Sequence, residues 1–479
     1  MTQQLSLTTP AVAYDPATRR WRSELGPGSV AVPELDGHLV LNLTGAESSG
    51  DLGHIVTGAP DVILHPGSAA DIAAMVAMCH RHQIPVAARG HHHTTHGQSL
   101  APDGLAIEMT ALNQIHGVRA GHLHAAAGAS WREVVRYVVL QGFRPAGLPG
   151  YLELTLGGTL SVGGIGQEHR EGGFVDRVVE LEIVTGTGAR VRCSRTRHAE
   201  LFTGALAGLG QVGIITGVVL ELLRAPESAL AITLPYTNSG EAFAAMRVLA
   251  EHEEIDGVFC LIAPPTTSSP PTYNVLAHHW YSGAPPNLDA ALASVPAPAS
   301  PPLIDTRPYV EHVSRFDRLI EDMRRTTTWD AEIKPWFDVF LPDHTAEAFV
   351  DDAVAGLTED DWAAPLGFVL VHIHRRDAFT CPRLRVPEDT EWVWLFDILT
   401  TSRPGAAADF TTRMLDRNTR LRKRAEADGG LVYPIGSQIL DHGHWQRHYG
   451  DTWPEVLETK RRFDPAGILT PGIGLRNDL

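Results

Sequence analysis

The chain has 479 residues, enough for about two or three domains, or for one large α/β unit carrying an inserted second domain around a sizeable core. Its 39 Lys and Arg against 56 Asp and Glu leave a net charge of −17 with His neutral, which argues against nucleic acid or an anionic membrane surface as a partner. A hydrophobic content of 43% argues against a mostly disordered chain, and four scattered cysteines without C-x-x-C spacing argue against a disulfide framework or a cysteine zinc site. The opening MTQQLSLTTPAVAYDP has no basic start and no apolar core, and no apolar run reaches the roughly 20 residues that cross a bilayer, so a soluble, cytoplasmic protein is expected.

Residues 1–55 read as irregular and rich in turn formers. PDVILHPGS predicts a strand ended by Pro66-Gly67, and Ser68 with Asp71 resembles a capping box opening the helix AADIAAMVAMCHRH. IPVAARG is a short strand running into Gly90 and a histidine-rich loop. GLAIEMT and HLHAAAG predict two more strands, and Ser130-Trp131-Arg132-Glu133 is a full capping box for WREVVRYVVLQGF. A second α/β block follows: a hairpin in VVELEIVTGTGARVRC, a helix in HAELFTGALAGLG and a long buried strand in QVGIITGVVLELL. Residues 226–425 carry the Pro-rich loops APPTTSSPP and PAPASPP between alternating segments such as LGFVLVHIH and EWVWLFDIL, the pattern of an antiparallel sheet. The expected organisation is a cofactor domain over 1–225, a substrate domain over 226–425 and a C-terminal return over 426–479.

Gly208-Leu209-Gly210-Gln211-Val212-Gly213 fits G-x-G-x-x-G, but the predicted helix precedes it and the strand follows, the reverse of a dinucleotide fingerprint. It reads as a tight helix-to-strand turn. The loop Arg89-Gly90-His91-His92-His93-Thr94-Thr95-His96-Gly97-Gln98-Ser99 carries more chemistry. Such a Gly-bounded loop leaving a buried strand presents backbone N–H groups to phosphate, and Thr94, Gln98 and Ser99 add neutral donors. A histidine there serves as nucleophile, base or ligand. His91, His93 and His96 have a spacing open to metal, but no further carboxylate or histidine completes a metal site, and none is assigned.

The segment VAARGHHHTTHGQSLAPDGLAIEMTALNQI resembles the flavin loop of cytokinin dehydrogenases, within the vanillyl-alcohol-oxidase-like family of PCMH-type FAD-binding proteins. That family's pattern is Arg-Gly-x-Gly-His-Ser-x-x-Gly-Gln. Aligned on it, the family's covalent histidine falls on His93, and His91 and His92 stand where the family often has Arg and Gly. The resemblance implies FAD attached through the flavin 8α carbon to His93, with Gly90, His91, His92, Thr94, Gln98 and Ser99 around it. YLELTLGGTLSVGGIGQEHR resembles the second flavin segment and implies contacts from Thr155, Ser161 and Ile165. ELFTGALAGLGQVGIITGVVLEL implies Ile215, and FDPAGILTPG implies Thr470. KPWFDVFLP resembles a segment of the family's substrate domain. The likeness is close over 58–224 and looser over 309–479. No cysteine lies in 145–165, so the second covalent attachment of bicovalent relatives is not expected.

The fold so implied is α+β: a two-part FAD-binding domain of two α/β subdomains with an inserted antiparallel-sheet substrate domain. The function implied is a flavoprotein oxidoreductase, oxidase or dehydrogenase, removing a hydride from a C–H next to an alcohol or amine of a small, partly apolar molecule. Oxygen or another acceptor reoxidises the flavin, and a homodimer is compatible. One departure bears on the substrate. Cytokinin dehydrogenases carry Trp-Thr-Asp-Tyr-Leu before the second flavin segment, where the Asp takes the substrate amine proton; this chain has Leu148-Pro149-Gly150-Tyr151-Leu152, and Gly150 cannot act as a base. Ile473 also replaces a family glutamine. The chain is therefore not expected to be a true cytokinin dehydrogenase, and the base is sought among His96, Tyr433 and Glu153. The alternative from another class is a redox-neutral cyclase or isomerase of secondary metabolism with flavin as platform. The pairs His278/His279 and His372/His374 read as structural or pocket-lining, the group His442, His444 and His448 as surface or packing, and Trp392 and Trp394 as core.

Overall fold

The computed structural model describes residues 12–42 and 50–475. The first eleven residues, which hold most of the segment read for a leader, lie outside the described residues. Four sheets organise the described residues. Three short strands, Ala13–Asp15, Arg20–Arg22 and Val30–Ala31, form an N-terminal antiparallel sheet, and His38–Leu41 joins the next one. The expectation of irregular chain over 1–55 is corrected here: two- to four-residue strands are too short to display an alternating pattern.

The first flavin-side sheet has the order His38–Leu41, Val62–His65, Leu105–Glu108, Val86–Arg89, with the last three strands parallel. The helix Ala69–His82 crosses between two of them, burying Ile72, Met75, Val76 and Cys79. Ser68 caps it, but Asp71 does not complete a capping box: its buried carboxylate accepts from the backbone of Asp36, Gly37 and Gly67, tying the preceding loop to the helix start. The box at Ser130 is complete, Ser130 Oγ accepting from Glu133 N–H at 3.2 Å and Glu133 accepting from Ser130 N–H at 2.9 Å.

The second sheet has six strands, all antiparallel, around the twelve-residue strand Gly213–Arg224. It includes Ile115–Arg119, whose glycine and bulge hide it from pattern reading. The third sheet has eight antiparallel strands between Ser228 and Val432. One face packs under the helices Ser239–Glu251 and Asp343–Ala355 through Val258, Cys260, Val371, Trp394 and Phe396. The other face turns Phe340, Val393 and Leu395 into the core of the flavin-side sheets. A half-buried salt bridge joins the helix Trp131–Val139 to the helix Arg315–Thr326, Arg132 meeting the buried Asp317 at 3.1 Å, and Asp317 also accepts from Leu152 N–H at 2.7 Å.

Candidate active site

The histidine loop is built from beneath by Glu108. Arg89 and Glu108 stand opposite each other on parallel strands, and the carboxylate takes Arg89 at 3.1 Å and His92 Nε2 at 2.8 Å. His92 adopts a left-handed backbone with φ of +53°, which turns its ring to Glu108 and leaves its neighbour to point inward. The His93 ring lies 5.2 Å from Tyr151 and 5.6 Å from Trp336, with its Nε2 buried and unpartnered. Burial, aided by the Arg324 and Lys334 charges, pulls the His93 imidazole down to about 3, so the ring is neutral. His91 is exposed.

Asp51 folds the loop. It accepts from Thr94 Oγ1 at 2.8 Å and Gly97 N–H at 2.7 Å, and Thr94 and Ser99 join hydroxyls at 2.8 Å. Gln98 accepts from His96 N–H at 2.8 Å and donates to the Gly436 carbonyl at 2.9 Å. The loop is thereby fastened to residues 433–438, where Ser437 Oγ also donates to the Thr95 carbonyl at 3.1 Å.

The remaining sequence-predicted residues make separate contacts between segments. A Cβ on Gly90 would stand 2.3 Å from Thr155 Oγ1, the cap of the helix Leu156–Val162. The Ser161 carbonyl accepts from Leu209 N–H, and Thr470 Oγ1 donates to the Gly210 carbonyl at 3.1 Å. The turn 208–210 therefore touches two of the predicted segments without being a dinucleotide fingerprint. Ile165 bridges to Gly173, and Ile215 is buried on the long strand opposite Ile183.

The three base candidates fare differently. His96 is part-buried in the loop and its pKa is lowered by desolvation. Tyr433 is buried; its hydroxyl accepts from Gly164 N–H at 3.1 Å, and burial pushes the phenol well above its ordinary range, so it stays neutral. Glu153 is engaged by Arg132 at 2.6 Å, in a cluster with Asp317 and Glu321, and its oxygen is spent on that guanidinium. Glu153 is set aside as a base on that ground.

Sequence reading missed a pair of acids. Asp338 and Asp397 are direct partners on adjacent strands of the eight-stranded sheet, both buried and close enough for each carboxyl to act on the other's protonation. Each sits inside a continuous apolar strand, FDVFLP and WVWLFDIL, and an unpaired acid in such a run is a signal in itself. His372 Nε2 lies 3.7 Å from Asp397, and Tyr433 N–H donates to the Asp338 carbonyl at 3.2 Å. Among the described residues no group of three or more His, Cys, Asp or Glu is arranged to hold a metal ion.

FAD fits these residues. His93 Nε2 is a buried nitrogen with no protein partner, and Gly90 and Gly210 leave no room for a side chain where predicted flavin segments converge. The FAD binding domain model matches residues 60–194, and a model described as cytokinin dehydrogenase 1, FAD and cytokinin binding, matches 303–475. An uncharacterised oxidoreductase of the fasciation locus of Rhodococcoides fascians is 30% identical, covering 89% of this chain and 96% of that protein. This chain belongs to the cytokinin dehydrogenase-like family of FAD-dependent oxidoreductases. Another member of this flavoprotein family, cytokinin dehydrogenase 3 of Oryza sativa subsp. japonica, is also 30% identical, over 92% of the chain and 91% of its own length. The fold of 6-hydroxy-D-nicotine oxidase from Arthrobacter nicotinovorans superposes with a TM-score of 0.69 at 20% identity, covering 92% of the flavoprotein and 98% of the oxidase. No helix among the described residues is long and apolar enough to cross a membrane.

Proposed function

We propose that this flavoprotein oxidises a small, partly apolar molecule at a C–H next to a nitrogen or oxygen, with FAD attached through His93. The observation carrying this reading is the neutral, half-buried His93 ring with its buried, unpartnered Nε2, between Tyr151, Trp336 and the cations Arg324 and Lys334. A neutral imidazole nitrogen is the form that can attack an electrophilic carbon. Bound FAD would supply the oxidant, accepting the hydride that leaves the substrate.

The residues around it divide the remaining work. Gly90 admits close backbone approach, and Thr94, Gln98 and Ser99 brace the loop through Asp51 and Gly436. Thr155, Ser161, Ile165, Ile215 and Thr470 would line the cofactor, with His91 and His92 at the loop's outer turn. Arg324 and Lys334 place positive charge beside His93 and favour negative charge developing there. Tyr151 is hydrogen-bonded by Arg324, which fixes one aromatic wall. Gly150 is exposed, with only Phe316 near the place a Cβ would take, so the proton acceptor of cytokinin dehydrogenases is missing there. A substrate other than a cytokinin follows from that gap.

The test is acid denaturation followed by gel electrophoresis. Flavin fluorescence should travel with the wild-type band and vanish from His93→Ala. Flavin released entirely into the supernatant of the wild type would defeat the covalent bond, and a protein without flavin absorption would defeat the cofactor assignment.

A further inference from the structure

We propose that Asp338 and Asp397 form the proton-accepting centre of this enzyme and select a basic amine as its substrate. The inference rests on the flavin reading above and deepens it, since it names the group that does what Gly150 cannot.

Geometry comes first. The two residues are direct partners on antiparallel strands, so their side chains rise from one sheet face, the face turned to the flavin-side domain. Asp338 Oδ2 and Asp397 Oδ1 are buried and receive no hydrogen bond from any donor among the described residues. The room for Asp338 Oδ2 exists because residue 436 is glycine: a Cβ there would lie 2.4 Å away. That same Gly436 holds Gln98 of the histidine loop through its carbonyl. Asp338 lies two residues beyond Trp336, whose ring flanks His93. Tyr433, beside the pair, reaches Gly164 in the second flavin segment.

The far side of the pair leads toward position 150. His372 stacks on Phe259 at 5.5 Å, Phe259 meets Phe316 at 6.0 Å, and Phe316 is the side chain nearest the Gly150 Cβ position, at 3.8 Å. An aromatic wall thus joins the place where cytokinin dehydrogenases keep their acid to the place where this chain keeps two. A mid-sized apolar body laid on that wall would put its polar end at the carboxyl pair.

Charge decides the substrate class. Two adjacent, buried carboxyls cannot both ionise, so the pair holds one shared proton and one negative charge when active. The titratable groups that face it are His372, from the strand Phe368–Arg375, and Tyr433, from the 433–438 loop; burial keeps the first near 4 and the second well above its ordinary range, so both are neutral. Among the described residues no Lys or Arg forms an ion pair with either acid. The complementary cation is therefore the ligand's own: an ammonium group.

The step balances without a further reagent. The ammonium passes one N–H proton to the pair, which becomes fully protonated. The freed nitrogen lone pair would form the C=N bond as the adjacent C–H electrons leave as a hydride, which bound FAD would take up as oxidant, and the product would be an iminium ion that water hydrolyses after release.

The test uses the flavin-loaded enzyme, Asp338→Asn, Asp397→Asn and the double variant. Infrared difference spectra of wild type minus variant at neutral pH, without substrate, should show a protonated-carboxyl C=O band that shifts in deuterium oxide, is displaced in each single variant and is lost only in the double variant. Benzylamine, N-methylbenzylamine and nicotine, with benzyl alcohol and cotinine as uncharged counterparts, are then tested for anaerobic bleaching of the flavin. An amine should bleach the wild type while its counterpart does not. The rate should fall by roughly 10²–10⁴ in each single variant, with the double variant no worse than either. A carboxyl band that survives the double replacement, bleaching by no amine, or bleaching at an unchanged rate in the Asn variants each overturns the proposal. Loss of flavin from the wild type defeats the cofactor reading instead, and the infrared band still judges the pair.

Discussion

Gly90 shows how one residue can join two segments of the site. The strand Val86–Arg89 delivers it directly against Thr155, whose hydroxyl is committed to Gly158 N–H at 3.3 Å and whose side chain is buried. In Gly90→Ala the new methyl meets that oxygen at 2.3 Å, and Thr155 cannot swing away without uncapping its helix. The expected outcome is a loss of about 1–3 kcal/mol, with a lower flavin-to-protein absorbance ratio in the purified variant. Thermal melting and a visible spectrum measure both. The identity of Gly90 was legible from the loop pattern; its partner was not, because a contact 65 residues away leaves no local trace. Asp338 and Asp397 were legible in a different way: each interrupts an apolar strand, a departure visible in the sequence but meaningful only once the strands are paired.

At the scale of elements, the closing segment is held by one buried ion pair. Asp464 is fully buried and accepts from Lys460 Nζ at 2.7 Å, Ile468 N–H at 3.1 Å and Leu469 N–H at 2.9 Å. So clamped, the segment adds to the parallel sheet: Val86 N–H donates to the Ile468 carbonyl at 2.9 Å and Thr470 N–H to the Val86 carbonyl at 2.8 Å. Asp464→Ala removes the carboxylate from a buried ammonium and the cap from two backbone donors, and should cost about 3–5 kcal/mol in chemical denaturation. Because the same clamp positions Thr470 over Gly210, flavin should be released at lower denaturant than the main unfolding transition. Long elements with clear periodicity, such as Ala69–His82 and Gly213–Arg224, were legible from sequence, as was the Ser130 capping box. The hairpin Val178–Ser194 was legible too, but the antiparallel pairing of the long strand Gly213–Arg224 with Val178–Thr185 and His122–Ala126 was not, since helices separate those strands in sequence. The Asp71 carboxylate escaped for a related reason: its partners, Asp36 and Gly37, lie in a loop more than thirty residues away.

Over the whole molecule, buried titratable groups set opposing limits on stability. His93, His169, His278, His312, His372, His374 and His448 all have imidazoles depressed chiefly by burial, so the fold holds them neutral while the unfolded chain protonates them near 6.5. Their contribution is present above that value and is lost as the pH falls through it. Asp338 and Glu168 are raised to about 7 by burial, and Asp397 is raised well above its ordinary range, so the fold keeps these protonated where the unfolded chain ionises them. Their contribution is full below about 4 and is lost as the pH rises through the folded values. Between roughly 4 and 6.5 the seven histidines outweigh the three acids, and stability should rise with pH. Just above that range, of these ten groups only the acids still differ between the two states, and stability should fall, by up to roughly 1.4 kcal/mol per pH unit for each proton. Denaturation across the pH range should therefore trace a dome with its summit near neutrality and a steeper acid limb. Asp397→Asn should flatten the alkaline limb and leave the acid limb in place, while His374→Gln should do the reverse. An alkaline limb that Asp397→Asn leaves unchanged would show that the carboxyl pair is already ionised in the fold, and the shared proton would have to be abandoned.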